Sequence, residues 1–147
     1  MNLIEKAKQL SHEAHDSIGQ VRKYSGKPYW THTDKVAALV ASIGGSEDMI
    51  AAAHLHDTIE DVFPHKPEYS LERIAREFNN HVADLVSQLT DVYTKEAYPH
   101  LNRVTRKKME LDRVAGESAE VHTVKLADCL DNTASIVEHD KDFAMVY

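Results

Sequence analysis

The chain has 147 residues, a single cysteine and a formal net charge of −7. That length makes one domain with enough core to fold without a disulfide or structural metal. The acidic balance argues against broad nucleic-acid binding, which needs a basic face. Lone Cys129 cannot form an internal bridge and points to a reducing, cytoplasmic setting. Charge arrives too early, at Glu5 and Lys6, for a signal peptide, and no apolar run reaches membrane-spanning length.

The apolar residues recur at helical spacing along nearly the whole chain. Leu3, Ile4, Ala7, Leu10 and Ala14 predict a first helix. Val36, Leu39, Val40 and Ile43 predict a second, opened by Thr31 with Asp34 three residues on and closed by Gly44-Gly45. Ser46 caps a third, which is expected to run through residues 53–61 and to stop near Pro64. Ser70 caps a fourth, with Leu71, Ile74, Ala75 and Phe78 inward. Val82, Leu85, Val86 and Leu89 mark a fifth. A basic helix follows from about Leu101 to Ala115, and a long last helix runs from Ser118 or Glu120 to about Glu138. No segment alternates at period two, so no sheet is expected. Two loops, Ser17 to Thr31 and Val62 to Tyr69, mix basic and aromatic residues in the manner of ligand loops.

Ten histidines are many for this length. The run Ala53-His54-Leu55-His56-Asp57-Thr58-Ile59-Glu60-Asp61 concentrates the chemistry. On a continuous helix His56 stacks over Glu60 and Asp57 over Asp61, since residues four apart share a face. Three carboxylates so close need something positive among them. A divalent cation fits, and imidazole with carboxylate suits Mn, Fe, Ni or Zn. An exposed acidic face with a satisfied histidine is the plainer reading of that run alone. On the last helix Lys125, Asp128, Asn132 and Ser135 form one polar stripe, while Val124, Ala127, Leu130, Ala134 and Val137 look like core. A solvated face or a site both explain the stripe. His32 gains weight from order: His32, then His56-Asp57, then Asp128.

That order resembles the HD superfamily of metal-dependent phosphohydrolases. Residues 17 to 32, with Gln20, Arg22, Gly26, Pro28, Tyr29 and His32, resemble the opening of the Rel/SpoT-type alarmone hydrolase domain. His56-Asp57-Thr58-Ile59-Glu60-Asp61 is similar to that family's HDxxED. Lys125-Leu126-Ala127-Asp128 followed by Asn132 is similar to its KLADxxxN. The resemblance runs from about residue 1 to 138, and the chain has no room for a synthetase or regulatory domain. It is therefore similar to small, stand-alone alarmone hydrolases. The resemblance implies an all-α fold, a single compact HD-domain helical bundle. It implies one Mn ion held by His32, His56, Asp57 and Asp128. Glu60 and Asp61 would position and deprotonate the attacking water. Arg22 and Lys23 match the basic pair that contacts base and phosphate. Lys125 and Asn132 match further nucleotide contacts, and Ser135 stands where the family usually has threonine. The implied partner is a nucleotide substrate, with neither nucleic acid nor membrane.

The chain also departs from the family. After Asp128 the usual Arg-Leu-His-Asn reads Cys129-Leu130-Asp131-Asn132, a later arginine is Ala134, and the loop Val62 to Tyr69 is unusual. These changes bear on the substrate. The leading expectation is a 3′-pyrophosphohydrolase of guanosine 3′,5′-bis(diphosphate). A second is an HD phosphohydrolase acting on another nucleotide, such as a dNTP or a nucleoside monophosphate. A third, of another class, is a non-catalytic nucleotide-binding module. His54 and Trp30 are read as core, and His12, His15, His81, His122 and His139 as surface. The cluster Arg103, Arg106, Lys107, Lys108 reads as a solvated helix face or as the mouth of a polyphosphate pocket.

Overall fold

The structure, a computed structural model, describes residues 1–147. Eight α-helices form it: α1 (Leu3–Ser17), α2 (Trp30–Ser42), α3 (Glu47–Leu55), α4 (Leu71–Glu77), α5 (Asn80–Leu89), α6 (Arg103–Ala115), α7 (Ala119–His139) and α8 (Lys141–Ala144). A π-helical turn, Thr58–Val62, follows α3. There is no sheet; one isolated bridge, Val21 to Pro28, closes the loop between α1 and α2. No helix is long and apolar enough to cross a membrane.

Side-chain caps set most helix starts. Ser46, Ser70, Asn79, Asn102 and Ser118 each accept from the backbone N–H three residues on. Asn2 and Glu5 form a reciprocal capping box at α1. α2 is the exception. It begins at Trp30 without a side-chain cap, because Tyr29 is already helical at φ −58° and ψ −33°. Thr31 therefore lies inside the helix and donates its hydroxyl to Pro28 O, and Asp34 turns toward His12 of α1. Gly44, at φ +83°, ends α2 in the left-handed region, where a side chain would be strained.

α3 is the central strut. Ala51, Ala52, Ala53 and Leu55 are fully buried, and the three alanines let α1, α2 and α5 approach closely. They belong to one core of 22 residues, which also takes in Val36, Val40, Ile74, Val82, Leu85, Val86, Val121 and Val124.

Four expectations are corrected. α3 does not run on to Pro64 but ends at Leu55. Past Asp57 the chain widens into the π turn, in which Phe63 N–H donates to Thr58 O. Asp61 N–H still donates to Asp57 O, but Glu60 and Asp61 do not join His56 and Asp57 in the cluster described below, and such turns are frequent at functional sites. On α7, Leu130 and Val137 are 53% and 51% exposed and Ala134 is exposed, because Asp128 and Asp131 take the inward positions at that level. Trp30 is half-buried at the surface, stacked on His12 with Nε1 donating to Asp16. His15 is fully buried, because Gln20 reaches in to accept from its Nδ1.

Leu85 is 2% exposed in the core. Leu85→Ala is expected to cost about 2–5 kcal/mol by urea denaturation. A change within about 0.5 kcal/mol, typical of surface positions, would contradict this packing.

Candidate metal centre

Three parts of the chain meet at one buried point. α2 brings His32, the end of α3 brings His56 and Asp57, and α7 brings Asp128. One ligand atom from each lies within 4.8 Å of the others. His32 Nε2 is 2.9 Å from Asp128 Oδ1 and 3.7 Å from Asp57 Oδ2. His56 Nε2 is 3.1 Å from Asp57 Oδ2 and 3.4 Å from Asp128 Oδ1.

The second nitrogen of each ring is already committed. His56 Nδ1 donates to Ala53 O at 2.6 Å, and His32 Nδ1 donates to Asp131 Oδ2 at 2.6 Å. Both Nε2 atoms therefore face the carboxylates. His56 Nε2 is buried and makes no aligned hydrogen bond, although it faces carboxylate oxygens at 3.1 and 3.4 Å. A buried nitrogen aimed at two carboxylates without bonding to either is an observation in favour of a ligand between them. Two imidazoles and two carboxylates are a donor set for a divalent transition metal, and the residues fit one.

The titration behaviour has the same origin. Burial alone would lower His32 and His56, but the facing carboxylates outweigh it and hold both above the usual imidazole range. Burial alone would raise Asp57 and Asp128, but the imidazoles outweigh it and hold both well below the usual carboxylate range. Tyr29 donates its hydroxyl to Asp57 Oδ2 at 2.7 Å. Lys125 Nζ lies 3.4 Å from Asp128 Oδ2, and Asn132 Nδ2 donates to Asp128 Oδ1 at 3.1 Å.

Glu60 and Asp61 leave the cluster in different directions. Glu60 accepts from Asp91 N–H, and Asp61 accepts from Gln20 Nε2. The Gln20 amide is oriented by His15, whose Nδ1 donates to its oxygen. Burial, then Asp91 and Asp57, push Glu60 up to about 8. Burial and Asp57 push Asp61 up to about 7, against the Gln20 hydrogen bond.

A cavity of about 510 Å³ opens beside the cluster. Asp57, Glu60, Asp91, Glu110 and Asp128 line it with carboxylates, Lys125, Arg103 and Lys107 supply positive charge, and Leu89, Val104, Leu111 and Tyr147 supply apolar wall. Arg103 and Lys107 thus follow the pocket reading of the basic cluster. Arg106 instead donates to Leu101 O, and Lys108 is exposed.

Lys125 and Asn132 line this cavity. Arg22 reaches the same region, donating to Asn132 Oδ1 and lying 3.5 Å from Asp131. Lys23 is exposed, with its ammonium over the Tyr24 ring, and Ser135 does not line the cavity. Tyr29, Asp91 and Tyr147 were missed as site residues. Asp91 carried no local signal. Its loop is held from α6, where Glu110 accepts from Val92 and Tyr93 N–H while Arg113 donates to Gln88 and Thr90 carbonyls.

The model of the HD domain matches residues 7–145. The chain belongs to the HD domain family. It is 32% identical over 133 residues to the guanosine-3′,5′-bis(diphosphate) 3′-pyrophosphohydrolase of Aquifex aeolicus, covering 90% of this chain and 18% of that protein. It is 35% identical over 129 residues to the GTP pyrophosphokinase of Streptomyces coelicolor, covering 88% of this chain and 14% of that protein. The HD domain thus spans under a fifth of these relatives. Among solved structures it is similar to a metazoan ortholog of SpoT described as hydrolysing ppGpp. The TM-score is 0.78 at 26% identity, covering 95% of this chain and 73% of that one.

Protons and a cation compete for these atoms. Glu60 and Asp61 are raised on folding, so the folded HD domain holds more protons than the unfolded chain from the ordinary carboxylate range up to about pH 8. His32 and His56, also raised, act in the same sense. Stability of the metal-free protein falls as pH rises through that window. The rise in thermal midpoint on adding Mn is expected to be larger at pH 8 than at pH 6.5. An equal or smaller rise at the higher pH would contradict the placement of these groups.

Proposed function

We propose that this HD domain is a metal-dependent pyrophosphohydrolase acting on guanosine 3′,5′-bis(diphosphate). The observation that carries the reading is a four-ligand cluster, His32, His56, Asp57 and Asp128, beside a cavity lined by Glu60 and by the cations Lys125, Arg103 and Lys107. The names of the relatives support the substrate. Mn is the expected metal and the cytoplasm the expected compartment.

A divalent cation there supplies charge that acidifies water and neutralises phosphate oxygens. The protein supplies the rest. Glu60, raised to about 8 by burial and neighbouring carboxylates and ionised once a cation sits beside it, takes the proton of a water that attacks the phosphorus on the ribose 3′ oxygen. The bond from that phosphorus to the 3′ oxygen breaks. Pyrophosphate leaves with the water's oxygen, and a proton returns to the ribose 3′ oxygen. Asp61, braced by Gln20, orients the water. Lys125, Arg103 and Lys107 receive phosphate oxygens along the cavity. Arg22 offers a flat guanidinium that stacks on a base and forks onto phosphate.

One observation favours a second reading, an HD phosphohydrolase of another nucleotide. Asp131 lies 3.5 Å from Arg22 and offsets part of the charge meant for the nucleotide. Retention of Glu60 and Asp61 speaks against a non-catalytic nucleotide-binding module.

With Mn, the purified protein is expected to convert guanosine 3′,5′-bis(diphosphate) to the 5′-diphosphate and pyrophosphate, resolved by chromatography. Release of inorganic phosphate or triphosphate from other nucleotides instead would favour the second reading. Binding without turnover in any divalent metal would favour the non-catalytic module. Glu60→Gln and Asp61→Asn are each expected to lose about 10²-fold or more in turnover while still binding Mn. Retained turnover in both would remove these carboxylates from the mechanism.

A further inference from the structure

Asp131 has no role in the reaction described so far, and it stands where the resemblance to the family lapses. Its Oδ2 accepts from His32 Nδ1 at 2.6 Å. The same oxygen lies 3.5 Å from Arg22 Nη2. The next residue, Asn132, repeats the pattern, donating to Asp128 and accepting from Arg22. Two consecutive residues of α7 therefore each join a ligand of the centre to the loop between α1 and α2.

The constraint on His32 is severe. Its ring is 1% exposed and carries a carboxylate on each nitrogen, Asp128 at Nε2 and Asp131 at Nδ1. An imidazole ligand must present a lone pair on the coordinating nitrogen, so its proton must sit on the other one. A proton held on Nδ1 by Asp131 leaves the Nε2 lone pair facing Asp57, His56 and Asp128. The other ligand ring is anchored differently, by its own helix backbone at Ala53 O. His32 sits near the start of α2, where no carbonyl reaches its Nδ1, and α7 supplies the acceptor instead.

We propose that Asp131 is a positioning residue that fixes the ring orientation and tautomer of His32 for metal binding and, through the same oxygen, ties Arg22 to the centre. The proposal rests on the metal-centre reading above. It gives the Asp131 departure a purpose: a carboxylate at this position supports the ligand and at the same time sets where the nucleotide-facing arginine stands.

The test is Mn affinity, read from the electron paramagnetic resonance signal of free Mn at one fixed pH above neutrality. Asp131→Ala is expected to bind Mn about 10–100-fold more weakly than the unaltered protein. Asp131→Asn, whose amide oxygen still accepts from Nδ1, is expected to recover much of that loss. Affinity of D131A indistinguishable from the unaltered protein would overturn the proposal. D131N as weak as D131A would also overturn it, since the carboxylate would then act through charge alone. A measurement on the unaltered protein stands even if D131A fails to fold. In the Zn-loaded state, nitrogen-15 resonance of His32 is expected to place its proton on Nδ1, and a proton on Nε2 would overturn the assignment. If the unaltered protein binds neither Mn nor Zn, the metal-centre reading itself fails, an outcome distinct from equal binding by D131A.

Discussion

Two imidazoles and two carboxylates converge on one buried point, and each ring turns its Nε2 inward. Without a cation, protons must hold the cluster together, which is why His32 and His56 are raised and Asp57 and Asp128 lowered. Burying such a set is costly unless the charges balance. The fold is arranged to bring them together all the same. α2, the end of α3 and α7 each bring a ligand there, and the alanines of α3 let its neighbours come close.

Around that point the carboxylates that follow His56-Asp57 part from the cluster. The π turn Thr58–Val62 carries both of them. His56 and Asp57 stay at the cluster, while Glu60 turns toward Asp91 and Asp61 toward Gln20. Both carboxylates are then half-buried among like charges, which raises them above the usual carboxylate range while no cation is bound. Lys125, Arg103 and Lys107 set positive charge among the carboxylates that line the cavity, in a protein whose net charge is −7. Local placement, rather than overall charge, decides what the cavity attracts.

Much of this was legible in the residues. Caps at Ser46, Ser70 and Ser118 and the apolar periodicity located the helices, because both signals are local. The order of His32, His56-Asp57 and Asp128 located the cluster. What escaped was non-local. Stacking His56 on Glu60 assumed a straight helix, and no local rule foretold the π turn. His15 looked like a surface residue because its partner, Gln20, lies in a loop that folds back over it. Leu130 and Val137 looked like core because periodicity does not say where a helix runs out of neighbours. Asp91 reaches the site only because Glu110 and Arg113, nearly twenty or more residues on, hold its loop. Asp131 was read only as a lapse from a motif, and its bond to His32 spans 99 residues of sequence.

The most direct test of the account is anomalous diffraction from crystals of the Mn-loaded protein. It predicts a single strong site coordinated by His32 Nε2, His56 Nε2, Asp57 and Asp128, with Glu60 and Asp61 outside the ligand shell. Manganese bound elsewhere, or bound through Glu60 and Asp61 in place of the two histidines, would contradict it.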